Sequence, residues 1–300
     1  MTKKRIFTGL LTALFAITIF AAEKKEPAKY NETSPSKPNI IFILADDMGY
    51  GDVSCFNEHS KIKTPFIDKL ASEGVMFTDA HTSSAVCTPT RYGILTGRYN
   101  WRSPLKKGVL GGYSKALIPK DRTTIAGFLK ENGYKTAGFG KWHLGWDWAS
   151  ADSEEERLSD VKDLSSATFD AGAYNVDFSK KVENGPTTLG FDYFFGFCGS
   201  LDLAPYVWIE NDMPTRIPTK ETEDKGSQSW WRKEPTSDDF SHEQVLPDIT
   251  RKTVNFINKN ANGDKPFFIY MPLSAPHTPI LPTEEFRGQV DWAILMVILC

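Results

Sequence analysis

The stretch CTPTRYGILTG, residues 87–97, places a cysteine directly before Thr-Pro and an arginine four positions after it. Pro89 suits a first helical turn, because its fixed φ matches the helix and its missing N–H would have had no partner there. At about 3.6 residues per turn, Cys87 and Arg91 share a face, so the guanidinium can reach whatever chemistry occurs at the sulfur position. A helix start also carries partial positive charge and free N–H groups, which suit an anion. The stretch reads as a nucleophile over an oxyanion cradle, and the bland alternative is a small buried thiol at a loop-to-helix junction.

Asp46 and Asp47 follow an apolar run directly. Two adjacent carboxylates repel each other unless a cation or basic group lies between them, and a hard cation is the natural partner. Calcium takes about six to eight oxygens, so two aspartates are only part of such a site. The alternative is an ordinary turn in which Asp caps the next element. Lys141 and His143 lie two residues apart in a predicted strand, which points both side chains the same way. Lysine supplies fixed positive charge and histidine exchanges a proton near neutral pH; alternatively they form a solvated strand face with Trp142 buried. His277, in APHTP, closes another predicted strand, where a structural role competes with a catalytic one. Together these residues make an anion-processing site.

The elements that position them follow from the pattern of the chain. NIIFILA, residues 39–45, is a continuous apolar run of the kind found in a buried parallel strand. Thr64-Pro65 opens a helix with Phe66, Ile67 and Leu70 on one side and Gly74 as its stop, followed by a short strand VMFTDA. Thr123 or Thr124 starts a second helix, with Ile125, Phe128 and Leu129 inward and Gly133 at its end, and YKTAGFGKWH reads as the next strand. A third helix from Asp248 leads into PFFIYMPL. This alternation predicts an α/β fold with a mostly parallel central sheet and helices on both faces, and with function at the carboxyl ends of its strands. Between Asp147 and Pro247 the pattern loosens, with an acidic run at 154–156 and an aromatic pair at Trp230 and Trp231, which reads as insertions at the rim.

The 300 residues carry 35 Lys and Arg against 38 Asp and Glu, a formal charge of -3, which argues against nucleic acid as a partner. Lys3, Lys4 and Arg5 precede an apolar run from 6 to 22, the pattern of an export signal over residues 1–22, with a retained anchor as the alternative. Residues 23–38 are rich in Lys, Glu, Pro and Ser and read as a flexible linker, leaving 39–300 as the catalytic domain. Export predicts a periplasmic or secreted protein with no stable membrane span after signal cleavage. Cys55, Cys87, Cys198 and Cys300 show neither CxxC pairs nor scaffold density, and one bridge among them stays open.

Cys87-Thr88-Pro89-Thr90-Arg91 resembles the C-x-P-S/T-R signature of the formylglycine-dependent sulfatases, a branch of the alkaline-phosphatase-like superfamily. GYKTAGFGKWH, residues 133–143, resembles their second signature, and ADDMGYGD and GFDYFFG are similar to family segments in the same order. Thr90 stands where serine is commoner. The resemblance, over about residues 38–290, implies an arylsulfatase-like sulfuric ester hydrolase. It implies that a maturation enzyme converts Cys87 to formylglycine, and that Asp46, Asp47 and the converted Cys87 bind calcium. It further implies that Arg91 holds the hydrated aldehyde, that Lys141 and His277 grip the sulfate, and that His143 assists proton loss. Ser200 matches the place of a pocket residue. Sulfated carbohydrate is the expected substrate.

The family continues to a later strand ending in Asp-Asn and a further lysine, neither of which is found in this chain. Residues 294–300 are an unbroken apolar run, and the eight residues 293–300 fall short of the about 20 that cross a bilayer. The chain therefore reads as an apparently truncated amino-terminal sulfatase domain, incomplete at its carboxyl end, with uncovered sheet surface expected. Competing readings are a catalytically inactive binder of sulfated glycans and a phosphatase or phosphodiesterase of the same superfamily, for which Ser or Thr is the expected nucleophile. A cysteine hydrolase is weaker, because no local partner histidine appears.

Overall fold

The computed structural model of the chain describes residues 37–151 and 176–288. The export signal, all but the end of the linker, the acidic run at 154–156 and the apolar run at 294–300 lie outside these residues. Within the unit that starts at Pro38, strand β1 (Ile40–Asp46) is followed by helices α1 (Pro65–Glu73), α2 (Cys87–Thr96) and α3 (Ile125–Glu131). Strands β2 (Lys135–Lys141), β3 (Tyr193–Phe197), β4 (Ile209–Glu210) and β5 (Met213–Pro214) come next. A separate hairpin, β6 (Lys220–Asp224) with β7 (Trp231–Thr236), precedes helix α4 (Val245–Asn260) and strand β8 (Phe267–Pro276).

The sheet order is β1-β8-β2-β3-β4-β5. β1, β8, β2 and β3 run parallel, while β4 and β5 add antiparallel edges. The expected mostly parallel sheet is therefore present. Its two faces follow from the period-two alternation of β8. Phe267, Ile269 and Met271 pack in one cluster with Val245 and Ile249 of α4. Phe268 and Tyr270 pack in a second with Tyr92 and Leu95 of α2 and Leu129 of α3. Helices thus cover both faces, and the parallel pairing brings the carboxyl ends of all four strands to a common edge.

Several expectations need correction. GFDYFFG is no rim insertion: its aromatics form β3 in the centre of the sheet, with Phe194 and Phe197 buried. β1 was expected to be buried, but among the described residues it is a terminal strand paired only with β8, and Ile43 is 58% exposed. The apolar side of α1 is likewise open, with Phe66 87% and Leu70 70% exposed. VMFTDA forms no strand, because no neighbouring strand lies beside it among the described residues to take its hydrogen bonds. In α3, Ala126 and Leu129 turn inward while Ile125 and Phe128 face solvent. Thr124 is its N-cap, its hydroxyl accepting from the Gly127 N–H at 3.0 Å. Cys55, Cys87 and Cys198 are free thiols.

Candidate active site

The carboxyl ends of the parallel strands deliver the candidate residues: Asp46 ends β1, Lys141 ends β2, Ser200 lies just past β3, and His277 follows β8. Helix α2 brings Cys87 to the same edge, since it begins at that residue behind an extended Val86. Asp46, Asp47, Cys87 and Arg91 line one cavity of about 240 Å³, together with Thr82, Ser84 and Thr90. Thr90 anchors the loop before the helix by donating to the Ser84 carbonyl at 2.5 Å.

Asp46 is the electrostatic centre. Its Oδ2 lies 2.5 Å from Lys141 Nζ and 3.4 Å from an Arg91 terminal nitrogen, and all three side chains are buried. Burial opposes its ionisation, but Lys141 and Arg91 together outweigh this and hold the carboxyl below its ordinary range. Arg91 is further fixed by donating to the Lys141 carbonyl at 2.7 Å and the Leu273 carbonyl at 3.3 Å. Two cations therefore share one carboxylate, so this trio carries one net positive charge, against which the Asp47 carboxylate stands in the same cavity.

Lys141 also donates to Ser200 Oγ at 3.0 Å, and Ser200 Oγ is 3.3 Å from His277 Nδ1. The same Nδ1 lies 2.5 Å from the Thr278 carbonyl, and His277 Nε2 is 3.8 Å from Asp47 Oδ2. The backbone N–H of His277 donates to the Asp46 carbonyl at 3.0 Å, which joins the ends of β1 and β8. Asp47 itself has φ 62, a left-handed conformation that Asp tolerates better than most residues.

His143 sits differently from the strand expectation. β2 stops at Lys141, and His143 occupies a left-handed turn with φ 52. The turn, and not strand alternation, carries it inward, where it is buried. Its Nε2 donates to the Leu110 carbonyl at 2.7 Å, while Nδ1 is buried with no partner among the described residues. A carbonyl only accepts, so the proton resides on Nε2 and Nδ1 is a free base. Burial first, then Lys141 and Arg91, hold the imidazole well below its usual pKa and keep it neutral. Sequence reasoning missed Thr88, whose hydroxyl donates to the His143 carbonyl at 2.9 Å and accepts from the Leu110 N–H at 3.2 Å. Its place between Cys87 and Pro89 was the available signal.

The Cys87 thiol is pushed above its ordinary pKa by burial, with Lys141 and Arg91 opposing and Asp46 adding to the rise. A thiol held neutral is a poor nucleophile. No histidine hydrogen-bonds it among the described residues, which disfavours a cysteine hydrolase. The donor set fits a hard cation in part. Asp46 and Asp47 offer carboxylate oxygens to the cavity, but among the described residues no group of three or more His, Cys, Asp or Glu is gathered to hold an ion. A cation there needs further oxygens from water or substrate.

A family model described as Sulfatase matches residues 38–291, a span that contains every one of these positions. The chain belongs to the sulfatase family. An N-acetylgalactosamine-6-O-sulfatase of Bacteroides thetaiotaomicron is 31% identical over 331 aligned positions, covering 95% of this chain and 59% of the relative. Human steryl-sulfatase is 47% identical over 115 positions, 37% of this chain and 20% of that one. A solved structure concerned with metabolism of multiple glycosaminoglycans by Bacteroides thetaiotaomicron superposes with a TM-score of 0.66 at 31% identity, over 85% of this chain and 54% of that chain. Ps i-CgsB in complex with k-i-k-neocarrahexaose gives a TM-score of 0.54 at 27% identity, over 81% and 46%. This sulfatase-family chain therefore spans about half the length of the proteins it matches across most of its own residues. Its sheet and covering helices are those of the alkaline-phosphatase-like sulfatases.

Proposed function

We propose that this chain supplies the nucleophile-bearing part of a sulfate ester hydrolase that acts on sulfated carbohydrate outside the cytoplasm. In this reading Cys87 becomes formylglycine through a maturation enzyme, and Asp46 and Asp47 bind calcium together with that residue. The observation that carries it is the placement of Cys87 at a helix start, in one cavity with the acid pair and Arg91. Once formed, formylglycine supplies a hydroxyl nucleophile in its hydrated state, and calcium withdraws charge from the sulfate oxygens.

The chain's own residues do the rest. Lys141 and Arg91 bring positive charge to the sulfate, and Arg91 is fixed by two backbone carbonyls so that it does not follow the ligand. Lys141, Ser200 and His277 form a continuous polar row along the strand ends, suited to gripping sulfate and serving the departing alcohol oxygen. His143 Nδ1, neutral and unpartnered, is the group ready to take a proton. The named relative acts on N-acetylgalactosamine 6-sulfate by its description, and this chain is proposed to take the same broad class, a sulfated sugar.

The decisive experiment is mass analysis of the peptide that contains Cys87, after expression with a formylglycine-generating enzyme. An aldehyde at position 87, lost in Cys87→Ala, is expected. An unmodified thiol in protein made beside an active maturation enzyme overturns the proposal.

A further inference from the structure

The near balance of 35 basic and 38 acidic residues hides a local segregation. From Ala80 to Lys120 there is no Asp or Glu, while Arg91, Arg98, Arg102, Lys106, Lys107, Lys115 and Lys120 all fall in this span. Arg91 is used inside the site. Arg102, Lys106 and Lys107 are exposed, and none of them has a carboxylate partner among the described residues. Such charges are usually compensated on a mixed surface, so an uncompensated run marks a place for an external anion.

Two exposed aromatics accompany the charges. The rings of Tyr99 and Trp101 stack at 4.1 Å with an interplanar angle of 9°, and both residues are more than half exposed. Lys106 Nζ donates to the Trp101 carbonyl at 2.7 Å, which ties the basic limb to the aromatic one. Large apolar rings held open to water beside cations suit a ligand with apolar faces and anionic substituents, which is the chemistry of a sulfated sugar chain.

The chain leads from the strip back to the buried side of the site. Helix α2 leads away from Cys87 over its 10 residues, about 15 Å of rise, and residues 98–110 return alongside it. The return ends at Leu110, whose N–H is bonded to Thr88 and whose carbonyl is bonded to His143. Three residues of chain, at most about 11 Å, separate Lys107 from Leu110. We infer that residues 98–107 form a second binding surface for the sulfated polysaccharide chain, holding it through Arg102, Lys106, Lys107 and the Tyr99–Trp101 pair. The inference rests on the sulfated-carbohydrate reading of the neighbouring site. It adds that the substrate is polymeric, and that affinity comes largely from sulfates other than the one being removed.

The test is retention on immobilised chondroitin sulfate, chemically desulfated chondroitin and DNA under a salt gradient, using the whole chain. Binding needs no formylglycine, so this outcome is independent of the mass analysis at Cys87. The chain should be retained by the sulfated polymer and eluted early from the desulfated one. Arg102→Gln/Lys106→Gln/Lys107→Gln should bind at least about tenfold more weakly, because three charge-assisted contacts are lost, and Trp101→Ala should show a smaller loss. Both variants alter exposed side chains, so an unchanged thermal unfolding midpoint is the folding control. Unchanged retention of the folded triple variant overturns the inference. Equal retention on the desulfated polymer, or tighter retention on DNA, overturns it as well, by removing the role of the sulfates or assigning the strip to another polyanion.

Discussion

Lys141 Nζ lies 2.5 Å from Asp46 Oδ2 across the ends of two strands that do not pair with each other, and both side chains are buried. β8 stands between β1 and β2, so the ion pair is a brace over the carboxyl edge of the sheet. It also concentrates charge there: with Arg91 3.4 Å from the same carboxylate, the Asp46 charge faces two positive ones.

Removing the shared carboxylate should therefore be costly. Asp46→Asn leaves Lys141 and Arg91 buried together, and breaking a buried ion pair on one side costs about 3–5 kcal/mol. Lys141→Met alone should be similarly harmful, because Asp46 keeps only the longer contact to Arg91. The double variant should lose clearly less than the sum of the two single losses. Urea unfolding of the four proteins at neutral pH checks this, and additive losses would show that the brace carries no coupling.

His242 gives the chain an acid-sensitive element away from the site. It is buried against Trp231, whose ring stacks at 3.9 Å, and against Tyr206 and Phe240, and its Nε2 donates to the Leu201 carbonyl at 3.1 Å. Burial lowers its pKa to about 4, with Leu201 and Asp224 opposing the shift. Below the ordinary histidine pKa of about 6.5, the unfolded chain binds a proton that the folded chain refuses, so stability falls as pH drops. The loss runs from about pH 6.5 down to about 4 and amounts to about 3 kcal/mol at most. His242→Phe should flatten that part of the stability curve while keeping the stacking. Unfolding midpoints at pH 7 and pH 4.5 that differ equally in both proteins would refute this.

How much of this was legible in the sequence depended on whether the cause was local. Pro89 and the spacing of Cys87 and Arg91 are local signals, and α2 begins where they place it. Apolar runs in β1, β2 and β8 likewise mark strands by themselves. What failed depended on neighbours. A run such as IIFIL looks the same in a central strand and at an edge, and only the order β1-β8-β2 reveals the difference. The turn that carries His143 was hidden because KWH continues the strand pattern, although Gly140 and Gly145 flank it. The Phe-rich β3 was misread because two short antiparallel strands, and no helical unit, follow it, so it stood inside a stretch that read as insertions at the rim.

Gly140 explains why the second signature has glycine just before Lys141. Its φ is +126, and a Cβ built there would lie 2.1 Å from the Pro272 carbonyl oxygen of β8. That oxygen is backbone and not a flexible tip, so the strands would have to part next to the ion pair. Gly140→Ala should cost more than the about 1 kcal/mol expected for an ordinary backbone adjustment, and about 3 kcal/mol or more is expected. Gly133→Ala, at φ +88 but with nothing within 4 Å, is the comparison for backbone strain alone. Equal losses in the two variants would remove the role of close strand approach.

Among the described residues the outer edge of the sheet is uncovered. β1 presents its unpaired side as a terminal strand, Ile41 and Ile43 are exposed along it, and α1 adds Phe66, Ile67 and Leu70. An apolar terminal strand with free backbone groups is a template for pairing with another chain, and a wide apolar patch favours association. The described residues place no proline within β1, and its one acidic residue, Asp46, is committed to Lys141 and Arg91 at the far end. Nothing in the strand itself therefore blocks the edge. The chain should self-associate in a concentration-dependent way and bind a hydrophobic dye in the folded state. Ile43→Lys with Phe66→Glu should lower both signals, because a charge on the open side of an edge disfavours pairing. Light scattering over a concentration series checks the first and dye fluorescence the second. A monomeric, dye-silent parent chain would refute this expectation.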